Sequence, residues 1–301
     1  MSDSPDRSPG FWDVAVDCGL LSLDESARLS AESEKSGIPP GELVRRKSLL
    51  EPVELDIIET LLHPRDIVPG YELLRSLGCG GMGVVYEARQ LRLDRSVALK
   101  TILIHRLGDA TVATRFTKEA RAIGRLQHPH IITAHDFGEH AGRLFLAMEL
   151  VSGGDLEHLV RNHGPLSERA TWEFIRQAAF ALEYAHQSGI IHRDIKPANL
   201  LLDRRYDPHD SDRIPNVKIA DFGLAFLQEE DTAKTRLTSE NAAVGSPQYM
   251  APEQLEGGEV DFRADIYALG ATAWHLLLGE PPFSGKNLMQ IVTAKVAGDL
   301  P

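Results

Sequence analysis

The chain has 301 residues, of which 43% are hydrophobic and 25% are charged. This length and composition allow about two folded domains and exclude a chain that is disordered throughout. Acidic residues outnumber Lys and Arg by 44 to 32, so the formal net charge is −12. That sign argues against a nucleic-acid binder, although a few cations and backbone N–H groups are enough to hold a single nucleotide.

The two cysteines, Cys18 and Cys79, lie far apart and form no C-x-x-C pair. This spacing argues against a disulfide scaffold or a zinc site and indicates a reducing compartment. No apolar region follows a basic start at the N-terminus, so no secretory signal is predicted. The longest apolar segment, residues 268–279, is too short for a membrane span. We therefore expect a cytoplasmic protein with no membrane segment in this chain.

The first ten residues are polar and are predicted to be disordered, whereas residues 11–65 have a helical pattern with two similar starts. Ser22 precedes Glu25, and Ser48 precedes Glu51, at the spacing of a capping box. Apolar residues then recur at helical spacing: Leu55, Ile58, Leu61 and Leu62. We predict a small all-α module. It is either a bundle that docks on itself or on the next domain, or a protein-interaction or regulatory module.

A glycine-rich stretch with the pattern G-x-G-x-x-G runs from Gly78 to Gly83. The pattern alone is a weak signal, because dinucleotide-binding folds share it. In those folds a helix follows the glycines, whereas here residues 84–88 and 96–100 are short, β-branched and strand-like. The glycines are therefore predicted to lie in a hairpin whose backbone can approach phosphates.

The second of these strands ends at Lys100. Taken alone, a lysine at a strand end is more often solvated than functional. A helix is predicted over residues 111–126, with Glu119 beside its apolar face, and a buried Lys100 would need such a carboxylate partner.

Two further strands are predicted over residues 131–137 and 144–150, and a break follows at residues 151–155. Beyond it the pattern is helical, with Ser167 predicted to cap a helix that ends near Gly189. Strands first and helices later predict an α+β fold with two unequal lobes.

The segment from His192 to Asn199 places a carboxylate, an ammonium group and an amide between two apolar stretches. A surface loop without a function seldom has such neighbours. Its polar groups are those of Asp194, Lys196 and Asn199.

A short strand then leads to Asp221, and residues 224–245 have the composition of a mobile loop. The most hydrophobic helix is predicted from Phe262 to Gly279. Its first turn contains Asp265, a carboxylate that suits the helix dipole and can accept N–H bonds from a neighbouring loop.

In this order the segments resemble a eukaryotic-like serine/threonine protein kinase of the bacterial type, from about residue 69 to the C-terminus. The motifs that carry the resemblance are Gly78-x-Gly80-x-x-Gly83-x-Val85, Val97-Ala98-Leu99-Lys100, Glu119, His192-Arg193-Asp194 with Asn199, Asp221-Phe222-Gly223, and Ala251-Pro252-Glu253. The resemblance implies a kinase domain over residues 71–301, with a β-rich N-lobe at 71–150 and an α-rich C-lobe at 155–301.

The resemblance implies ATP and Mg²⁺ as cofactors. Gly80, Gly81 and Gly83 would cover the phosphates, while Lys100 would hold the α- and β-phosphates and pair with Glu119, which reverses the first interpretation of that lysine. The rest of the implied nucleotide site comprises Leu77 and Gly78, the adenine contacts Val85, Ala98 and Leu201, the backbone of Glu149 and Val151, Met148 beside the deeper pocket, and Asp155 at the ribose.

The same resemblance assigns the catalytic roles. Asp194 would orient the substrate hydroxyl and accept its proton, and Lys196 would contact the γ-phosphate, as in the serine/threonine-specific form of this loop. Asn199 and Asp221 would coordinate Mg²⁺ as hard oxygen ligands. The implied partners are protein substrates.

Regulation is implied by Arg193, which in such kinases pairs with a phosphate on the activation loop. The candidate acceptors are Thr238 and Ser239, followed by Thr235 and Thr232. We expect autophosphorylation within residues 232–239, with self-association as a route to phosphorylation in trans.

The chain departs from the family pattern after a helix predicted over residues 286–297, because it stops at Pro301. We expect the C-lobe to lack its last helices, together with the arginine that would pair with Glu253. An active kinase is our first hypothesis. The alternatives are a catalytically impaired nucleotide-binding signalling scaffold and a purely structural interaction protein led by the N-terminal helices.

Overall fold

The computed structural model describes residues 10–80, 83–103, 120–208, 213–222, 246–256, 258–285 and 288–297. The chain divides into two compact units. The first comprises residues up to Gly108 together with Phe137–Leu150, and the second comprises Asp109–Asp136 together with Val151–Pro301.

The first unit begins with four short helices: α1 (Phe11–Asp17), α2 (Leu23–Ser36), α3 (Pro40–Arg46) and α4 (Pro52–Leu62). They enclose an apolar cluster that includes Val14, Leu29, Leu43, Leu55 and Ile58. Helix α2 begins as predicted. The Ser22 side chain accepts from the N–H of Glu25, and the Glu25 carboxylate accepts from the N–H of Ser22 at 3.0 Å.

The second predicted capping box was wrong. Ser48 has a φ of 51°, in the left-handed region, and does not cap a helix. Helix α4 is capped by Glu51, whose N–H donates to the Glu54 carboxylate at 2.7 Å. Pro52 explains the shift, because its fixed φ suits the first helical position and leaves the preceding residue as the cap.

A five-stranded sheet follows, made of β1 (Tyr71–Gly80), β2 (Gly83–Gln90), β3 (Arg95–Leu103), β4 (Ala134–His140) and β5 (Arg143–Met148). Its order is β1-β2-β3-β5-β4, and the pairs β1–β2, β2–β3 and β3–β5 are antiparallel. The last two strands confirm the predicted pair, with β4 displaced by three residues from its expected position.

The strand register defines two faces of this sheet. Lys100 lies opposite Val85 on one side and Leu146 on the other, whereas its neighbour Leu99 lies opposite Tyr86 and Ala147. Directly paired residues share a face and successive residues alternate. We call these the Lys100 face and the Tyr86 face.

Helix α4 packs against the Tyr86 face. Ile57 of α4 and Val68 of the following loop belong to one buried cluster with Tyr86, Leu99 and Ala147. The all-α module therefore shares a hydrophobic core with the sheet, in agreement with the interpretation in which it docks on the next domain.

The second unit is mainly helical. It contains α5 (Leu156–His163), α6 (Glu168–Gln187), a 3₁₀ turn (Pro197–Asn199), the strand pair β6 (Leu200–Leu202) and β7 (Val217–Ile219), α7 (Pro252–Glu256), α8 (Arg263–Leu278) and α9 (Leu288–Ala297). Ser167 caps α6 as predicted, by accepting from the N–H of Ala170. Helix α6 supplies Phe174, Ala178 and Ala181 to a core that α8 joins through Ala268 and Leu276.

Within the ranges given above, the protein has no helix with the length and apolar character needed to span a membrane. Several predictions fall outside those ranges: the disorder of the first nine residues, the helix over 111–119 and the loop over 224–245.

Candidate active site

The glycine-rich hairpin is formed by β1 and β2, with Gly80 opposite Gly83 and Gly78 opposite Val85. Its tip, which includes Gly81, lies outside the described residues. Gly83 has a φ of 140°, and a Cβ there would lie 2.1 Å from the carbonyl oxygen of Thr101. The close approach of β3 therefore requires glycine at this position, and the predicted hairpin is confirmed.

Four of the predicted nucleotide contacts of the first unit, Val85, Ala98, Lys100 and Met148, lie together on the Lys100 face. Val85 pairs with Lys100, and Ala98, two residues before Lys100, pairs with Met148. Lys100 is only 5% exposed. Burial of this ammonium group contradicts the interpretation of a solvated strand end, whereas Glu119, its expected partner, lies outside the described residues.

The other predicted positions of the first unit lie at the ends of its strands. Leu77 is partly exposed, at 40%, near the end of β1. Glu149 follows directly after β5.

In the second unit, Asp265 fixes the start of the segment from His192 to Asn199. Its carboxylate is fully buried and accepts from the N–H of His192 at 2.8 Å and from the N–H of Arg193 at 2.7 Å. His186, at the end of α6, adds a third bond through Nε2 at 2.8 Å. The expectation that this carboxylate accepts N–H bonds from a neighbouring loop is confirmed.

These contacts also set the ionisation of Asp265. Burial raises the pKa of the carboxyl, but the bond from His186, the electrostatic influence and N–H of His192 and the N–H of Arg193 outweigh burial, and the pKa is lowered below its ordinary value of 3.8. Asp265 is therefore an anion in the folded protein at neutral pH.

Asn199 and Asp221 are brought together by the short ladder of β6 and β7. Leu200 pairs with Ile219, and the N–H of Ala220 donates to the carbonyl oxygen of Asn199 at 2.9 Å. The His192 ring holds the same segment through a bond of 2.8 Å between Nε2 and the carbonyl oxygen of Ala220. Asn199 directly precedes β6 and Asp221 follows β7 by two residues, so the two predicted metal ligands flank the same end of this ladder.

Asp194 lies at the centre of a small polar group. Lys196 places its ammonium nitrogen 2.8 Å from an Asp194 carboxylate oxygen and donates to the hydroxyl of Ser246 at 3.1 Å. Asn199 donates its side-chain amide to the backbone and to the carboxylate of Asp194. The side chains of Lys196 and Asn199 therefore both lie within hydrogen-bonding distance of Asp194.

Asp155 and Leu201 are joined by an antiparallel bridge. Gly153 fits beside them because a Cβ there would lie 2.3 Å from the carbonyl oxygen of Leu202. The Asp155 carboxylate caps α5 by accepting from the N–H of His158 at 2.8 Å, and its other oxygen lies 2.7 Å from the His158 ring. Two of the predicted positions, Asp155 and Leu201, are thus paired through their backbones, and Val151 lies four residues before Asp155 in the chain.

Residues 71–299 match the family model described as the protein kinase domain. The chain belongs to the protein kinase family. The resemblance seen in the motifs is therefore confirmed over the whole of the sheet and the helical unit.

The chain is also similar to curated bacterial kinases. It is 42% identical over 234 residues to the serine/threonine-protein kinase PknF of Mycobacterium tuberculosis, an alignment that covers 77% of this chain and 48% of the relative. It is 38% identical over 232 residues to the serine/threonine-protein kinase pkn3 of Myxococcus xanthus, covering 77% and 42%. The chain thus spans about half the length, or less, of these relatives.

Three contacts of the kinase domain were not found by sequence reasoning. They are the bond from His186 to Asp265, the bond from Lys196 to Ser246, and a bond of 2.9 Å from the Gln254 side chain to the carbonyl oxygen of Arg193. Each joins residues at least 50 positions apart, and local periodicity carries no signal for such pairings.

A buried lysine also escaped sequence reasoning. Lys295 of α9 is 6% exposed and donates to the carbonyl oxygen of Met250. Its ammonium nitrogen lies 5.1 Å from the ring centre of Tyr267 and 5.6 Å from that of Phe283. Burial lowers the pKa of Lys295 to about 8.

Proposed function

We propose that this domain transfers the γ-phosphate of ATP to serine and threonine hydroxyls of proteins. The observation that carries the proposal is the grouping of Asp194, Lys196 and Asn199, with Asp221 at the end of the neighbouring strand. Similarity to the bacterial serine/threonine kinases supports the choice of acceptor.

Catalysis of phosphoryl transfer depends on how these residues position the reactants and on the charge that they supply. The bond between the γ-phosphorus and the β,γ-bridging oxygen breaks as the substrate oxygen bonds to the γ-phosphorus, and ADP leaves. Asp194 orients the attacking hydroxyl and takes its proton. Lys196, held beside Asp194, supplies positive charge where the transferring phosphoryl group gathers negative charge.

The donor set fits Mg²⁺. Asn199 turns its amide nitrogen toward Asp194, which leaves the amide oxygen as a hard ligand, and Asp221 supplies a carboxylate. Within the described part of the chain, no three His, Cys, Asp or Glu side chains cluster as a self-sufficient metal site. The family resemblance implies an ion held jointly by protein and phosphate oxygens. When bound, Mg²⁺ neutralises charge on those oxygens.

The proposed contacts with ATP are made by residues of the candidate active site described above. By the family resemblance, Val85, Ala98 and Leu201 would contact the adenine. Lys100 would hold the α- and β-phosphates, and Asp155 would bond the ribose. We expect this chemistry in the cytoplasm, where ATP is available.

Regulation by phosphorylation is part of the proposal. Arg193 is held in place by Asp265 and Gln254 through its backbone, and its guanidinium is the cation that would receive an activation-loop phosphate. Mass spectrometry after incubation with Mg-ATP should show added phosphate within residues 232–239. An unmodified peptide over that range would contradict this part of the proposal.

The main test is transfer of labelled phosphate from ATP to a generic basic protein, with Asp194→Asn as the matched variant. We expect turnover by the unaltered protein and none above background by the variant. Nucleotide-dependent thermal stabilisation should be retained in both. Stabilisation by Mg-ATP without turnover in the unaltered protein would instead favour the nucleotide-binding scaffold.

A further inference from the structure

Helix α4 is attached to the kinase sheet by a sheltered ion pair. Arg143 of β5 donates two hydrogen bonds to Asp56 of α4, from Nη1 to Oδ2 at 3.0 Å and from Nη2 to Oδ1 at 2.6 Å. The side chains are only 15% and 14% exposed. A bidentate pair of this kind fixes direction as well as distance, so it specifies how α4 sits on the strands.

The surroundings of this pair are mostly apolar. Ile57 of α4 is 3% exposed and packs in the cluster with Tyr86 and Leu99. The hydroxyls of Tyr86 and Thr60 are also buried here. Burial raises the pKa of Tyr86, so its hydroxyl stays protonated at physiological pH. Breaking the ion pair would leave an unpaired charge in these apolar surroundings, at a large cost in free energy. That cost favours the observed position of α4 on the sheet.

The strands beneath α4 carry the nucleotide residues on their opposite face. Tyr86 is the chain neighbour of Val85, and Leu99 is the chain neighbour of Lys100. Arg143 pairs with Leu103, at the end of the same strand β3. Because both faces share one backbone, a displacement of Tyr86 or Leu99 also displaces Val85 and Lys100.

We propose that α4 is a positioning element of the ATP site, and that Asp56 and Arg143 hold it in register on the Tyr86 face. The N-terminal helices then belong to the machinery that places Lys100, although they touch no reacting atom. This proposal rests on the proposed kinase function only where kcat and KM are measured. Affinity for an ATP analogue and hydrogen exchange in β3 test the positioning role of α4 directly.

The test compares two isosteric substitutions on the same helix. Asp56→Asn removes the charge at the docking face. Glu59→Gln removes a charge from an exposed residue whose contact to Arg45 is 4.0 Å long, with side chains 57% and 67% exposed. Both variants are compared with the unaltered chain by binding of a fluorescent ATP analogue, by hydrogen exchange across residues 95–103, and by steady-state kinetics.

We expect Asp56→Asn to weaken analogue binding and raise KM for ATP by about tenfold, with a smaller change in kcat, because small misplacements of a binding group carry large costs. Exchange in β3 should accelerate, and Glu59→Gln, which removes a carboxylate that acts on Arg143 only through its charge, should change these values far less. Lower thermal stability in Asp56→Asn with unchanged KM, analogue affinity and β3 exchange would overturn the proposal, because the pair would then serve folding alone.

A second pair of variants covers the case in which Asp56→Asn does not fold. Arg143→Lys keeps the positive charge but loses the forked geometry, and should show the same change in KM in a milder form. The exchanged pair, Asp56→Arg with Arg143→Asp, should recover analogue affinity toward that of the unaltered chain. Affinity equal to the unaltered chain in Arg143→Lys would contradict the proposal. Absence of phosphoryl transfer with normal analogue binding would instead count against the proposed function.

Discussion

Asn199 donates its side-chain amide both to the carbonyl oxygen of Asp194, at 2.6 Å, and to the Asp194 carboxylate, at 3.1 Å. One amide group therefore orients the proposed base, while in our proposal its oxygen would bind the metal ion. The two roles depend on opposite ends of the same side chain, so a substitution that preserves the oxygen can still lose the donor.

Replacement of Asn199 by Asp tests this division. Asn199→Asp keeps hard oxygen ligands but replaces the donor with a second carboxylate beside Asp194. We expect kcat to fall by about 10²- to 10⁴-fold, the range lost when a base is misplaced. Stopped-time assays of phosphate transfer would measure it.

The matched control is Asn216→Asp, which alters an exposed amide that donates to Asp203 at 2.7 Å in the same unit. Its kcat should stay close to that of the unaltered domain. Equal losses in the two variants would show that the effect is a general one of added charge.

The carboxylate of Asp155 serves the fold and, in our proposal, the ribose. Asp155→Ala should destabilise the domain by about 1 kcal/mol through loss of the α5 cap and should also weaken ATP binding. Asp155→Asn retains a capping oxygen and should therefore weaken ATP binding with little loss of stability. Urea unfolding and nucleotide titration separate the two effects. Unchanged ATP affinity in both variants would remove Asp155 from the nucleotide site.

The lowered pKa of Asp265 predicts a stability change in acid. A carboxyl whose pKa is lower in the folded chain than in the unfolded chain contributes stability at pH values above its ordinary pKa of 3.8, and loses it as the pH falls through the folded value. The free energy of unfolding should therefore decline below about pH 4, and it should decline less in Asp265→Asn. Urea unfolding of both proteins between pH 3 and pH 6 would measure the difference.

A comparison of Asp265→Ala with the unaltered protein at neutral pH checks the hydrogen bonds themselves. Asp265→Ala leaves the N–H groups of His192 and Arg193 without their acceptor, and each buried unsatisfied group costs about 1–3 kcal/mol. A stability equal to that of the unaltered domain would show that other groups, or water, replace the carboxylate.

Lys295 predicts a gain of stability in base. Burial lowers its pKa to about 8 from the ordinary 10.5, so between these values the unfolded chain binds a proton that the folded chain has released. The free energy of unfolding should therefore rise from pH 8 to pH 10. The rise should be smaller in Lys295→Met and in Lys295→Arg, since neither new side chain titrates in this window.

Lys295→Arg also separates the effect of a positive charge on stability from the effect of proton release. It retains a cation for the rings of Tyr267 and Phe283 and a donor for Met250. We expect it to be more stable than Lys295→Met below pH 8. A titration curve identical to that of the unaltered protein in both variants would assign the pH dependence to another group.

Much of the candidate site could be predicted because its residues follow local rules. Alternation and β-branched residues placed the strands around Lys100, Ser167 capped its helix, and Asp265 fell in the first turn of the most hydrophobic helix. The order of the motifs along the chain then indicated the role of each residue, which no single residue indicates by itself.

What escaped prediction depends on distance along the chain. The burial of Lys100 is set by packing around the sheet, and a strand-end lysine in isolation indicates solvent. Ser48 failed as a cap because the following proline fixed the helix start three residues later. The partners of His186 and Lys295 lie on other elements, and no local pattern connects them.

The attachment of α4 has a consequence for how this kinase domain is handled. The family match begins at Tyr71, yet Ile57 and Val68 cover Tyr86, Leu99 and Ala147 from the preceding stretch. A fragment cut at the family boundary would present that sheet face to water, and large exposed apolar patches promote association. For expression, the smallest well-behaved piece of this chain should therefore start before α1, well upstream of the first residue with a role in chemistry.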